Sequence, residues 1–415
     1  METLRMVDPE IAQAIEEETL QQDMTIELNA ATNFCSGAVI EAQGNLFAHK
    51  TLEGYPGSRY HGGHGRVDVI ERLAVERVKK LFGAEHANIQ PHSGVSANLA
   101  VYFAVLDPGD SILGMDLSMG GHLSHGHKGT FSGKFLRSFS YGVERNSERI
   151  EYGEVKRIAR KERPKMIVCG GSAYPRIIDF SRFRSIADEV GAYLLADIAH
   201  VAGLVAGGVY PSPVPYADFV TFTTYKTLRG SRGGTILCRK AYARKIDKAV
   251  FPGVQGSMHV HLMAGKAVTF KLASTPSFKS YAGQVVENAR ALAKALQERN
   301  YRVVSGGTDT HIVLLDLRTT NLTGAEAQKR LEEAGIICNK NAIPFDPRGP
   351  ESTSGVRFGT SAVTTRGFRE SEMVTLAELI DELLPGKAAS KQMRQVQEKV
   401  RELCLRFPLH LGHGR

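Results

Sequence analysis

Through the middle of the chain, short apolar runs alternate with helical stretches, and this alternation narrows the fold more than any other feature. The runs are ANIQP, SILGMD, KMIVCG, AYLLADIA, DFVTFTT and GGTILCR, with helices expected from about Ser96 and near 181–190. Strands alternating with helices imply a mostly parallel sheet covered on both faces. KMIVCG and YLLAD lack a polar face, as strands buried on both sides require. After the FPGVQGS turn, a long helical stretch from about 259 to 300 precedes YRVVSGG, HIVLLDL, a helix at 323–334, GIICNK and GVRFGT. Amphipathic helices near 368–384 and 390–405 close the chain. The expected organisation is a helical arm over 1–35, a large α/β domain over 36–278 and a smaller α+β domain over 279–415, without repeats or low-complexity linkers.

At 415 residues and 42% hydrophobic content, the chain is long enough to bury two cores. Its formal charge of +8 raises the question of nucleic acid, but the lysines and arginines are scattered. The densest cluster, VKRIARKERPK at 155–165, reads as one helix face with its exit. Nucleic acid is therefore not an expected partner, whereas small anionic ligands suit the modest positive balance. Cys35, Cys169, Cys238, Cys338 and Cys404 form no CxxC pair, which fits a reducing compartment. The opening METLRMVDPEIAQAIEEETLQQ reads as an acidic amphipathic helix, not a signal peptide, and no run of about 18 apolar residues exists to span a membrane. The expectation is a cytoplasmic protein with no membrane partner.

In TFTTYKTLRG, residues 221–230, Lys226 ends a β-branched run where a lysine gains little from packing. Open parallel sheets collect ligands at the carboxyl ends of their strands. AYLLAD delivers Asp197 to such an end, with His200 three residues on, and a carboxylate there is costly without a permanent partner. Upstream, HSGVSAN at 92–98 offers small residues at a helix start, a good cradle for an anion. Each element has an ordinary explanation: a snorkelling lysine, a capped helix, a plain turn. Together and in this order they are what pyridoxal phosphate requires: an amine for its aldehyde, a carboxylate for its pyridine nitrogen and a cradle for its phosphate.

The motifs EGYPGSRYHGG (53–63), FGAEHANIQPHSG (82–94), GDSILGMDLSMGGHLSHG (109–126), ADEVGAYLLADIAHVAGLVAGG (187–208), TTYKTLRGSRGG (223–234), VVSGGTDTH (303–311) and SGVRFGTSAVTTRGF (354–368) are long and specific. From DPEI to RFPLH the chain resembles the serine hydroxymethyltransferase family of fold-type I pyridoxal-phosphate transferases. The resemblance implies a mostly parallel seven-stranded sheet with a smaller C-terminal α+β domain. It also implies that Lys226 binds the cofactor aldehyde, Asp197 pairs with the pyridine nitrogen, His200 bonds the ring oxygen and His122 stacks on the ring. Ser93, Gly94 and Val95 fall at the phosphate, and Ser172, Thr223, Tyr225 and Arg232 elsewhere around the cofactor, with Gly256 arriving from a neighbouring subunit. Arg357 matches the carboxylate clamp for the substrate, and its guanidinium fork suits that task. Glu53 matches the proton-transferring carboxylate. Ala31, Thr51, Tyr60 and His61 fall at substrate positions, and Leu117, Gly121 and Leu123 at folate positions. No metal ligand set is implied. The residue types alone leave other readings open: a loop role for His122, a structural partner for Arg357, a solvated Glu53, and loop packing for the leucines.

The implied chemistry is cleavage or formation of the Cα–Cβ bond of serine or a serine analogue, with pyridoxal phosphate as electron sink and tetrahydrofolate as one-carbon carrier. Shared active sites imply a homodimer or a dimer of dimers. Several positions depart from the family pattern. Ala31 stands for a serine, Thr32 for a glutamate, Thr51 and His61 for tyrosines, Tyr225 for a histidine, Val95 for a serine and Glu351 for a phenylalanine, while GSMHVH replaces GGPLMH. This clustering leaves two alternatives beside the usual reaction: a relative retuned to 2-methylserine or to folate-independent aldol or transaldol chemistry on threonine-like compounds, and a non-catalytic pyridoxal-phosphate-binding or regulatory relative.

Overall fold

In the computed structural model, which describes residues 2–384 and 390–409, the apolar runs form a seven-stranded sheet. The last residue of RFPLH, His410, lies outside the described residues. Across the sheet the order is His86–Asn88, Gly234–Cys238, Phe219–Thr223, Tyr193–Asp197, Met166–Cys169, Ser111–Met115 and Arg137–Tyr141. Gly234–Cys238 is antiparallel to both neighbours, and the remaining pairings are parallel. Side chains alternate between faces along a strand. Ile167, Cys169, Leu194 and Ala196 accordingly enter one core, while Met166, Val168 and Leu195 enter another on the opposite face. Helices cover both faces, and their ends are written in the sequence. Asp179 caps Phe180–Val190 by accepting from Ser181 N, and Gly191 ends that helix at φ +70°, which a residue without Cβ adopts freely.

Arg137–Tyr141 has no strand-like apolar run because it is an edge strand whose side chains are mostly open to solvent. The helix expected from Ser96 begins at Gly94. Ser93 caps it, its Oγ accepting from Ser96 N at 3.1 Å while Ser96 Oγ accepts from Ser93 N at 2.8 Å. The helical stretch expected over 259–300 comprises two helices, Val260–Ala273 and Pro276–Glu298. Thr275 caps the second, and Pro276 sits where no backbone donor is needed. The opening helix is likewise two, Glu2–Val7 and Pro9–Met24, divided at the cap residue Asp8. Met6, Val7, Ile11, Ile15 and Leu20 are exposed on them.

A second, four-stranded antiparallel sheet runs Arg302–Val303, Ile312–Asp316, Gly355–Gly359 and Asn339–Asn341. Its core includes Val313, Leu315, Val356 and Phe358 from the sheet, and Leu376 and Ile380 from the helix Glu370–Leu383. Ile26 and Leu28 join this core, because the short strand Ile26–Glu27 pairs in parallel with Ile336–Ile337. GIICNK is thereby two strands in different sheets, not one. The segment after Ile26–Glu27 then crosses to the first sheet, where Asn33 Nδ2 donates to the Lys226 carbonyl at 2.9 Å and to the Tyr281 hydroxyl at 2.8 Å. No described helix is long and apolar enough to cross a membrane.

Candidate active site

The carboxyl ends of the parallel strands open into a cavity lined by Ser93, Gly94, Val95, His122, Ser172, Asp197, His200, Thr223, Tyr225 and Lys226, together with His125, Gly171 and Ala199. Lys226 sits just past Phe219–Thr223 and Asp197 at the end of Tyr193–Asp197, so adjacent parallel strands set the two side by side. Lys226 is 8% exposed and has no ion-pair partner among the described residues. Burial, only partly offset by the charge of Asp197, brings its amine down to about 8.

Asp197 is held as an anion. Burial alone would raise its pKa, but the hydrogen bond and charge of His125, then His122 and Asn98, hold it well below the usual carboxylate range. Oδ2 accepts from His125 Nε2 at 2.9 Å and from Asn98 Nδ2 at 2.8 Å, and Oδ1 from Ala199 N at 3.0 Å. A carboxylate has roughly four lone-pair sites, so one remains for a further donor. His122, His125 and Asp197 bring ligating atoms within 4.8 Å of one another. His122 Nδ1 bonds Ser124 Oγ at 2.8 Å. Burial, followed by the charge of His125, pushes His122 down to about 4.

The cradle is the start of Gly94–Val105, whose first backbone donors line the cavity. Gly94 has no room for a side chain: a Cβ there would stand 2.8 Å from Thr223 Cγ2. Beneath the cradle lies fully buried Lys266, whose Nζ donates to the carbonyls of Ile89 at 2.7 Å, Gly234 at 2.9 Å and Pro91 at 3.1 Å. Burial lowers Lys266 to about 7, yet three carbonyl acceptors call for three hydrogens, which only the ammonium carries. Tyr225 forms the cavity rim, with the Arg232 guanidinium over its ring at 4.2 Å.

Arg357, from the second sheet, reaches the cavity wall, donating through Nη1 to the Ser172 carbonyl at 2.5 Å and through Nε to Asn339 Oδ1 at 3.0 Å. It is 8% exposed without a carboxylate partner among the described residues, and burial alone lowers it to about 10. A buried guanidinium left unpaired by its own chain calls for an anionic ligand.

Other expected positions lie apart from this cavity. Glu53 Oε2 meets His61 Nε2 at 3.4 Å, Thr51 and Gly256 are exposed, and Tyr60 is exposed with its edge toward Phe251. These loops form one patch, since Leu52 N donates to Ser257 Oγ at 2.8 Å and Met258 N to the Leu52 carbonyl at 3.1 Å. Ala31 is half-buried on the crossing segment, and Gly359 packs against its neighbour Ala30. Leu117 lines a second cleft of about 580 Å³ that shares His122 and His125 with the first and adds Lys128, Phe139, Arg348 and Pro350. Leu123 is exposed beside His122, and Gly121 packs against the Met115 carbonyl. Glu351 is fully exposed, 4.0 Å from Lys340.

Sequence reasoning passed over Asn98, His125, Lys266 and His311. His125 lies three residues from His122 in GGHLSHG, and Asn98 closes the HSGVSAN motif. Lys266 gave no local signal, since its partners are distant backbone carbonyls, and His311, although it ends VVSGGTDTH, pairs with a distant imidazole and a distant carbonyl.

A mostly parallel sheet with a buried lysine, an anionic aspartate and a helix-terminal cradle at its carboxyl end is the frame of a fold-type I pyridoxal-phosphate transferase, and the residues present fit that group. The family model described as serine hydroxymethyltransferase matches residues 4–380, and the chain belongs to that family. It is a pyridoxal-phosphate-dependent enzyme of the hydroxymethyltransferase type, in a family of one-carbon metabolism whose members are generally oligomeric.

Proposed function

We propose that the protein interconverts a 3-hydroxy amino acid of the serine type and its shortened product, passing the one-carbon unit to tetrahydrofolate. The observation that carries this reading is Arg357, a buried guanidinium with no carboxylate partner among the described residues, hydrogen-bonded to the carbonyl of Ser172, which lines the cavity that holds Lys226. When bound, pyridoxal phosphate supplies an electron sink for charge developing at the substrate Cα. Lys226, brought down to about 8, carries a useful fraction of free amine near neutrality to engage the cofactor aldehyde. Asp197 stays anionic and offers its remaining lone pair to a protonated ring nitrogen. The Gly94–Val105 terminus receives the phosphate, and Arg357 grips the amino-acid carboxylate.

Glu53, beside His61, moves the proton at the substrate hydroxyl. Its patch, shared with Thr51, Tyr60 and Gly256, is exposed and does not line the Lys226 cavity of its own chain. We infer that it completes the cavity of a second copy, which makes the working unit a homodimer or a dimer of dimers. The adjoining cleft supports folate as co-substrate, with apolar contact from Leu117, Phe139 and Pro350 and cations from Lys128 and Arg348.

A second reading is a pocket retuned to an α-substituted serine such as 2-methylserine. The Glu53–His61 pair favours it, because an imidazole stands where the family pattern has a phenol. Product analysis with L-serine, D-serine, 2-methylserine and L-threonine, each with and without tetrahydrofolate, tests both. Folate-dependent turnover of L-serine supports the first, and preferential folate-dependent turnover of 2-methylserine supports the second. Folate-independent cleavage of L-threonine alone, or no turnover at all, refutes both.

A further inference from the structure

His200 does not stand alone behind the cavity. Its Nδ1 lies 3.3 Å from Nε2 of His311, and the two rings lie side by side, 5.5 Å between centroids and 19° between planes, so that the N–H of one points in plane at the nitrogen of the other. His311 immediately precedes Ile312–Asp316, the strand paired with the one that carries Arg357, and it is fully buried. The same Nε2 lies 3.2 Å from the carbonyl of Ala30, next to Ala31 on the crossing segment. His311 Nδ1 is buried without a partner among the described residues.

These contacts fix where the protons are. Burial, then the charges of Lys226 and Arg357, drives His200 far below the usual histidine range, and burial with Arg357 pushes His311 to about 3, so both rings are neutral. A neutral imidazole carries one N–H and one bare nitrogen. The Ala30 carbonyl has no hydrogen to give, so the hydrogen belongs to His311 Nε2, which leaves His311 Nδ1 bare. His200 Nδ1 faces that N–H and therefore accepts. Its own proton must sit on Nε2, the nitrogen left for the cavity.

We propose that His311 is a positioning residue: its single N–H, shared between Ala30 O and His200 Nδ1, locks His200 as the Nε2–H tautomer, so that His200 meets the cavity as a hydrogen-bond donor to an anionic oxygen. That the oxygen belongs to pyridoxal phosphate rests on the function proposed above. The lock joins three parts of the chain: the strand end at Asp197, the second sheet and the crossing segment. Movement of the second sheet or the segment away from His200 would release the tautomer and with it the donor.

The test is two-bond proton–nitrogen correlation NMR on full-length protein labelled with ¹⁵N-histidine, as purified and after removal of pyridoxal phosphate, with His200→Asn to assign the signal. The expected result is an Nε2–H His200 in both forms. In His311→Phe an Nδ1–H population should appear and pyridoxal-phosphate affinity fall roughly threefold to tenfold, the worth of one neutral hydrogen bond. His311→Gln keeps an N–H and should hold both properties near wild type. If His311→Phe does not fold, the wild-type tautomer and the Gln variant decide. A wild-type His200 protonated on Nδ1, a Phe variant with an unchanged tautomer, or a Gln variant that folds but loses the Nε2–H form would overturn the proposal. Protein that never takes up pyridoxal phosphate would instead overturn the proposed function, leaving the tautomer result to stand by itself.

Discussion

His125 and Asp197 meet at 2.9 Å, imidazole N–H to carboxylate, with both side chains almost wholly out of water. The pair is a long-range one, joining a loop after Ser111–Met115 to the end of Tyr193–Asp197, and it keeps the cavity carboxylate charged. Removing His125 leaves a buried anion short of a partner, which typically costs about 3–5 kcal/mol. His125→Phe should therefore lower the urea midpoint of the cofactor-free protein. The folded pKa of Asp197 is depressed, so its contribution is present above the ordinary aspartate range near 4 and lost as pH falls through the folded value. In the variant that loss should begin at higher pH, which unfolding curves between about pH 3 and 7 will reveal.

Lys226 should mark the protein by colour. Wild type loaded with pyridoxal phosphate is expected to show an absorbance band near the visible edge, and Lys226→Ala to lack it. Because burial brings the amine to about 8, uptake by cofactor-free protein should accelerate as pH rises through that value and then level off. Stopped-flow absorbance across this range checks it, and a midpoint near the ordinary lysine value of about 10.4 would refute the assignment.

Arg357→Ala should weaken amino-acid binding far more than cofactor binding. Truncating one side of a desolvated charge pair costs roughly 2 to 5 kcal/mol. Spectral titration with amino acid, compared with pyridoxal-phosphate titration of the same variant, separates the two effects. Equal losses would show that Arg357 only ties the second sheet to the Ser172 carbonyl.

Lys266→Met should loosen the phosphate cradle. The substitution leaves the carbonyls of Ile89, Pro91 and Gly234 without their shared donor, at about 1–3 kcal/mol for each group that finds no replacement. Weaker binding of both pyridoxal phosphate and inorganic phosphate, with Arg357-dependent amino-acid recognition retained at saturating cofactor, is the expected pattern.

Ala31, Thr51 and His61 are the positions proposed to set the substrate. Comparing kcat/KM for L-serine and 2-methylserine in wild type and in Ala31→Ser with His61→Tyr decides it. Discrimination by one methyl-sized group reaches only roughly 1 to 3 kcal/mol, so a retuned pocket should prefer the α-methyl substrate moderately and lose that preference on reversion. A strong, unchanged preference for L-serine would leave the usual reaction.

What the sequence determined on its own is whatever is encoded within a few residues. Runs such as MIVC and YLLAD announce buried parallel strands because both faces must be apolar, and Lys226, Asp197 and the Ser93–Gly94 turn stand out because local patterning does not explain them. Arg137–Tyr141 escaped because an edge strand has no need of an apolar pattern. The divisions at Asp8 and Thr275 were legible as capping residues before prolines, but helical periodicity on either side masked them. The tertiary structure alone decided which groups compensate one another. His125 with Asp197, Lys266 with three carbonyls and His311 with His200 are each separated by 32 residues or more. The energetic reason for each pair is the burial of a polar group, and burial does not exist until the chain has folded. Arg357 is named from the sequence only by the family resemblance; the physical ground for a ligand there, burial with no carboxylate partner among the described residues, comes from the fold.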